Sequence, residues 1–351
     1  MPSLNSLHIS PSTLKLISQI DEFKGAWRAL GVLAPERLSA LRKVATIESI
    51  GSSTRIEGSK LSDAEVEVLL ANLSTQSFIS RDEQEVAGYA YAMNLVFESC
   101  QDIRLSENHI KQLHKELLQY SDKDHWHRGQ YKTASNSVAA FDSEGVQLGI
   151  VFQTSSPFET PLQMADLIAS TQAELETKRL HPLLVIAVFV VTFLAIHPFQ
   201  DGNGRLSRVL TTLLLLQAGY AYVPYSSMEA VIEQNKEAYY LALRLTQSTL
   251  SQQSPNWEPW VHFFLLSAQR QTLRLANRIE SEHKLLANLP ELSLQIIGYL
   301  RSANTASLAQ IAIQTGANRN TIKLHLRKLV AARLLYQAGA GRGSYYQIAK
   351  P

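Results

Sequence analysis

The chain has 351 residues, of which 45% are hydrophobic and 18% charged, for a net charge of +2. That is enough apolar material for ordinary globular cores in about two or three domains, while the single cysteine, Cys100, excludes an internal disulfide framework and suits a reducing compartment. No signal peptide is legible, and the most apolar run, Leu183 to Ile196, falls short of the ~20 residues that cross a bilayer, so the expectation is a cytoplasmic protein with no membrane partner.

Residues 10–100 carry helical periodicity and almost no strand signal, the stretch from Asp82 to Phe97 included. Within them, Ser53-Thr-Arg-Ile-Glu57-Gly58 reads locally as a helix end, with Ser53 as a cap and Gly58 as a stop. Further on, residues 127–138, ending in Thr133-Ala134-Ser135-Asn136-Ser137-Val138, lead into an alternating segment, and Ser143-Glu-Gly145 supplies a turn before Val146 to Phe152. That pattern predicts a β-hairpin.

Leu183 to Ile196 is then a central buried helix, and Val209 to Leu216 is a second apolar helix. Between them, His197-Pro-Phe-Gln-Asp201-Gly-Asn-Gly-Arg205-Leu-Ser-Arg208 makes a tight polar turn. Gly202 and Gly204 free the backbone to aim N–H groups at an anion, and the helix starting near Gly204 adds the positive end of its dipole. Asp201 is a hard oxygen ligand suited to Mg²⁺ shared with phosphates. Arg205 and Arg208, three apart, project from nearly one helix face and offer donor forks suited to phosphate oxygens. His197 titrates near neutrality and can take a proton from a hydroxyl. Singly, a His-Pro helix end and Asp-Gly or Asn-Gly turns are commonplace; together they describe a phosphate-handling loop.

These twelve residues match H-x-F-x-D/E-G-N-G/K-R-x-x-R at every specified position and so resemble the signature of the Fic family of nucleotidyl, chiefly adenylyl, transferases. The resemblance implies that His197 deprotonates a target hydroxyl, which attacks the α-phosphate of ATP. It also implies that Asp201 holds the Mg²⁺ (or Mn²⁺), and that Gly202, Asn203 and Gly204 form an anion hole. Arg205 would face the β-phosphate, Arg208 the γ-phosphate, and Phe199 would anchor the loop in the core. Upstream, Ser53, Glu57 and Gly58 are similar to the inhibitory pattern S/T-x-x-x-E-G/N of self-restrained Fic proteins. On that resemblance, Glu57 pairs with Arg208 in the place of the γ-phosphate, and in some members the corresponding glutamate helps position water to remove AMP. The hairpin resembles the flap that pairs with the target segment by strand addition, its alternative being a plain surface hairpin. Asn235, Tyr239 and Tyr240 fall where such proteins place nucleoside contacts, although aromatics at helical spacing equally suit a core.

The function so implied is transfer of AMP from ATP to a Ser, Thr or Tyr hydroxyl of a target protein, the chain itself included. Alternatives are a DNA-binding regulator with the Fic core as nucleotide sensor, the same fold with another nucleotide donor, or AMP removal. An isologous homodimer is compatible with all of them.

Beyond the core, Ser248 to Pro259 reads as a loop and Trp260 to Leu289 as a long amphipathic helix. After Glu291 there is no Asp or Glu but eight Lys and Arg, giving +8 there and −6 before it. That asymmetry marks a separate module with a preference for anions. Helices over Leu292–Leu300, Ser307–Gln314 and Asn320–Leu334, then a glycine-tipped hairpin over Tyr336–Tyr346, resemble the winged helix-turn-helix of bacterial transcription regulators. Arg319, Asn320, Thr321, Lys323 and His325 sit at or near the start of the recognition helix this implies, and Arg342 at the wing tip. DNA would be met there; a protein partner is the alternative. The expected fold class is mainly α: an all-helical Fic core with a small β-hairpin flap, plus a C-terminal winged-helix domain with a two-stranded wing. The expected division is a helical region over 1–100 holding the inhibitory helix (about 45–58), a catalytic core over 101–250, a connecting loop and helix over 251–290, and the winged helix over 291–351.

Overall fold

The computed structural model describes residues 6–29, 35–73, 78, 80–141, 147–287, 289–303, 305–332, 334–339 and 344–348. These form fourteen α-helices and two small antiparallel sheets, so the chain is mainly α as expected. It divides into two compact units, residues 1–32 with 45–273 and residues 33–44 with 274–351.

The first unit opens with α1 (Pro11–Ala29), the part of α2 (Pro35–Ile56) from residue 45 on, α3 (Asp63–Ala71), α4 (Arg81–Ser99) and α5 (Glu107–Leu117). α3 and α4 each start in a capping box, Ser62 with Glu65 and Ser80 with Glu83, which satisfies orphan N–H groups at both ends of the exchange. The predicted hairpin is present as β1 (Val138–Phe141) and β2 (Gln147–Phe152), antiparallel with Val138 opposite Phe152 and Phe141 opposite Gln147. Its turn, Ser143 to Gly145, lies outside the described residues.

α6 (Thr160–Thr177), α7 (Pro182–Ile196) and α8 (Asn203–Gln217) form the centre of this unit. Every side chain of α7 from Leu183 to Ile196 is buried, which only a helix enclosed on all sides tolerates. α6, α8 and α10 (Lys236–Gln247) pack against it, and α8 also meets α4 and α5. α9 (Met228–Gln234) and the part of α11 (Glu258–Ala287) up to residue 273 complete the order. α11 begins two residues before the expected Trp260, because Pro259 sits in its first turn, where a missing N–H costs nothing. Among the described residues, no helix is long and apolar enough to cross a membrane.

The second unit contains α12 (Glu291–Ala303), β3 (Thr305–Ser307), α13 (Leu308–Thr315), α14 (Arg319–Ala331), β4 (Leu335–Ala338) and β5 (Tyr345–Ile348). Ile296, Leu300, Ile311, Ile322, Leu326, Leu329 and Leu335 make its core. The sheet has three strands in the order β3-β5-β4, not the two expected. The extra strand is three residues long and ends in Ser307, which also caps α13, so it offers no alternation long enough to read.

Candidate active site

The polar turn between α7 and α8 is braced from every side. α7 stops at His197, whose backbone is left-handed (φ 53°) and whose N–H donates to the Phe193 carbonyl. A non-glycine residue there costs about 1–2 kcal/mol of strain, so the neighbours must hold it. Phe199 is fully buried and stacks on His114 of α5, with ring centroids 3.8 Å apart and planes within 13°. The Asn203 side chain closes the turn, its Nδ2 donating to the Phe199 carbonyl at 2.7 Å and its Oδ1 accepting the Phe199 N–H at 2.9 Å. Both polar ends of Asn203 are therefore committed to the loop, and its contribution to an anion site is positional. Gly202, at φ 79°, caps α8 in a conformation that a side chain would strain.

Two braces were not singled out in the sequence. The His114 Nδ1 accepts the Gly129 N–H at 2.8 Å, which leaves Nε2 to donate to the Asp201 carbonyl at 3.0 Å. Burial pushes the His114 pKa down to about 4, keeping this tautomer neutral. Lys132 is also buried, and its Nζ donates to Asn136 Oδ1, Thr154 Oγ1 and the Ile196 carbonyl at 2.9–3.0 Å. Burial lowers its pKa to about 8. Asn136 in turn donates to the Phe199 carbonyl at 2.6 Å.

The structure gives the predicted base a setting that composition does not show. Burial pushes the His197 pKa down to about 4, against the opposing pull of the Leu194 carbonyl near its Nδ1. The imidazole is thus neutral at physiological pH, the form that accepts a proton.

Arg205 and Arg208 leave α8 toward different partners. Arg205 is 2% exposed and lies between Glu85 of α4 (3.2 Å) and Asp201 (3.5 Å). Arg81 closes the ring, binding Glu85 at 2.7 Å and reaching the other Asp201 oxygen at 3.4 Å. Burial works against the Asp201 carboxylate, but Arg205, the Gly202 amide and Arg81 outweigh it and hold its pKa below the usual range.

Arg208 turns to the end of α2. Its Nε donates to Ser53 Oγ at 2.7 Å, and its Nη2 donates to the Ser53 carbonyl at 2.9 Å and to Glu57 Oε1 at 2.8 Å. Burial opposes the charge on Arg208, but Glu57, Tyr239 and Tyr89 outweigh it and raise its pKa further. The same Glu57 oxygen lies where a Cβ on Gly204 would come within 2.1 Å. The carboxylate therefore sits on the first turn of α8, where backbone amides and the arginine converge on negative charge. Gly58 follows with φ 107° and turns the chain away.

A second ion pair holds this helix end. Arg55 grips Glu233 of α9 through Nε (2.6 Å) and Nη2 (3.0 Å), while its Nη1 meets the Leu61 carbonyl (3.0 Å) and Asp63 (2.9 Å).

Of the other predicted residues, Tyr239 is buried and Tyr240 is 42% exposed, its hydroxyl 3.4 Å from the Ile56 carbonyl. Both lie near the Glu57–Arg208 pair, since each feels their charges. Asn235 faces elsewhere, donating to the Val231 carbonyl and accepting from Arg270. Thr133, Ala134 and Ser135 are exposed ahead of β1, whereas Asn136 is drawn onto the loop. In the second unit, Arg319, Asn320, Thr321 and Lys323 are exposed along α14. His325 instead pairs with Ser293 of α12 at 2.7 Å, and Arg342 lies outside the described residues.

Residues 104–215 match the model of the Fic/DOC family. A protein adenylyltransferase Fic of Drosophila mojavensis is 28% identical over 232 residues, 65% of this chain and 42% of that protein. The Drosophila virilis protein of the same name is 29% identical over 234 residues, 66% of this chain and 44% of that protein. The chain thus spans less than half the length of these relatives. Among solved structures, a Fic family protein from Desulfovibrio desulfuricans shares the fold with TM-score 0.64 at 23% identity, covering 100% of this chain and 99% of that one. A Fic domain-containing signaling protein from Bacteroides thetaiotaomicron gives TM-score 0.59 at 25% identity, covering 73% of this chain and 94% of that one.

Proposed function

We propose that this chain is a protein adenylyltransferase that restrains itself through Glu57. The observation that carries the reading is the Glu57 carboxylate, held at once by Arg208 and against Gly204. A carboxylate in an arginine-lined amide cradle occupies the place of a phosphate. The relatives that match this region carry the adenylyltransferase name.

In the reaction, neutral His197 takes the proton of a Ser, Thr or Tyr hydroxyl on the target protein, or on the chain itself. The oxygen forms a bond to the α-phosphorus of ATP. The bond from that phosphorus to its bridging oxygen breaks, and the electron pair leaves with pyrophosphate. AMP remains esterified to the protein. The amides at Gly202, Asn203 and Gly204 face the charge that develops. β1 offers the target a strand edge, and Tyr239 and Tyr240 stand near the phosphate-binding arginine.

Asp201 is the residue that would hold Mg²⁺ or Mn²⁺. Among the described residues there is no group of three or more His, Cys, Asp or Glu that could cage a metal. One carboxylate suits an ion that takes its remaining ligands from phosphates and water. When bound, the ion would neutralise charge on the phosphate oxygens.

Residues 291–351 support a second role, as a winged helix on DNA. Arg319, Asn320, Thr321, Lys323, Arg327 and Lys328 are all exposed on α14, and the segment after Glu291 has no acidic residue. A gel shift that weakens with salt and with Lys323→Ala would support this.

Labelling with α-³²P-ATP tests the transfer reading. Protein labelling strong in Glu57→Gly, weak in wild type and absent in His197→Ala is the expected result. Labelling from UTP but not ATP would reassign the donor. Release of AMP from a labelled target by wild type alone would add the reverse reaction. No labelling in any variant would overturn the transfer reading.

A further inference from the structure

We propose that Arg81 binds the diphosphate portion of the nucleotide and the pyrophosphate set free from it. This rests on the nucleotidyl-transfer reading above, and it moves a role that the family resemblance assigns to Arg205. Arg205 is 2% exposed and its guanidinium is wedged between Glu85 and Asp201. Drawing it out toward a ligand would leave Glu85, a buried carboxylate, without half of its counter-charge.

Arg81 is 60% exposed at the outer oxygen of the same Asp201 carboxylate. It is also aimed. Its Nε is fixed by Glu85 at 2.7 Å, one helical turn on, and the Ser80–Glu83 capping box fixes the turn of backbone that carries it. What remains includes Nη2, directed at Asp201 Oδ2 and 3.4 Å from it. That contact is long, so a partner with more charge can displace it while the Glu85 anchor stays. A diphosphate sharing a cation with Asp201 presents such oxygens beside the carboxylate, and a guanidinium fork suits them. The carboxylate thus has one exposed cation, Arg81, at its outer oxygen and one buried cation, Arg205, at the other.

Affinity for pyrophosphate and for AMP separates this role from a purely structural one. In the Glu57→Gly background, Arg81→Ala should weaken calorimetric binding of Mg²⁺–pyrophosphate and Mg²⁺–ATP about 10-fold or more. Binding of AMP, which lacks the diphosphate, should stay within about 2-fold, and Arg81→Lys should recover part of the loss. Unchanged pyrophosphate affinity in Arg81→Ala would overturn the proposal, as would an equal loss for AMP. So would a Glu57→Gly parent that binds no pyrophosphate at millimolar concentration. If pyrophosphate binds through Arg81 but no variant labels protein from ATP, the anion site stands and the transfer reading falls.

Discussion

The Arg55–Glu233 pair should set how firmly the end of α2 holds Glu57 in the arginine pocket. Glu233→Gln keeps the shape and one hydrogen bond but removes the charge from a two-point contact at 2.6 and 3.0 Å. The partners are 22% and 29% exposed, so solvent screens the pair only in part. Hydrogen bonds to charged groups are worth about 1.5–3 kcal/mol and exposed ion pairs less than 1. Arg55 keeps Asp63 and the Leu61 carbonyl, so the net loss should be about 1 kcal/mol. If the clamped form dominates, that multiplies the released fraction about fivefold. Initial rates of label transfer from α-³²P-ATP in Glu233→Gln should therefore rise about fivefold over wild type. In Glu57→Gly there is no clamp left to loosen, so adding Glu233→Gln should change nothing. A wild-type rate in the single variant would refute the latch. So would a fivefold gain in both backgrounds, because the pair would then act on something other than Glu57.

Three further outcomes follow from the same contacts. Lys132→Met removes three hydrogen bonds that brace the residues on either side of His197; in Glu57→Gly it should cut kcat at least 10-fold, about 1.4 kcal/mol of barrier, with little change in KM for ATP. Gly204→Ala puts a Cβ 2.1 Å from Glu57 Oε1 and must displace the carboxylate, so it should lower the melting temperature of wild type but not of Glu57→Gly. His114 has a folded pKa of about 4, depressed by burial below the ordinary His value of about 6.5. The unfolded chain therefore binds the extra proton first, and stability contributed by neutral His114 is complete above about pH 6.5 and lost as pH falls toward 4. Melting curves of wild type and His114→Gln should converge across that window, the wild type losing up to about 3 kcal/mol more.

The sequence made the central helix and the polar turn legible because their signals are local. Fourteen consecutive buried residues in α7 need no tertiary context to be read as core, and the turn's chemistry lies within twelve positions. Glu57 was legible only through resemblance; by periodicity alone it ends a helix, and its pairing with Arg208 spans 151 residues of chain. The braces were not legible because nothing local marks them. His114 lies on an amphipathic helix as an ordinary interior position, and its meaning comes from Phe199 and Asp201 arriving against it. Lys132 sits in a polar stretch where a solvated lysine is the natural expectation, yet it is buried. Spacing suggested that Arg205 and Arg208 would share a face and a ligand. Burial separates them, because Glu85 and Ser53 approach α8 from different helices.

These pairings have a consequence for how a nucleotide enters. Arg208 is already bound by Glu57, and Asp201 already faces two arginines. On the proposed reading, a triphosphate would therefore meet a site whose charges are largely satisfied, and its binding would be an exchange of partners. Such an exchange yields little net affinity unless the ligand's contacts are better than the internal ones. The two exchanges differ in kind. Arg81 can leave Asp201 by a side-chain movement, keeping Glu85. Glu57 follows directly on α2, and its end is tied by Arg55 to α9 and by Ser53 to Arg208 itself. On the proposed reading, restraint would reside at the Arg208 end of the site, and release there would require the end of a helix to move. A target or partner that pulls on α2 would reach the active site by that route.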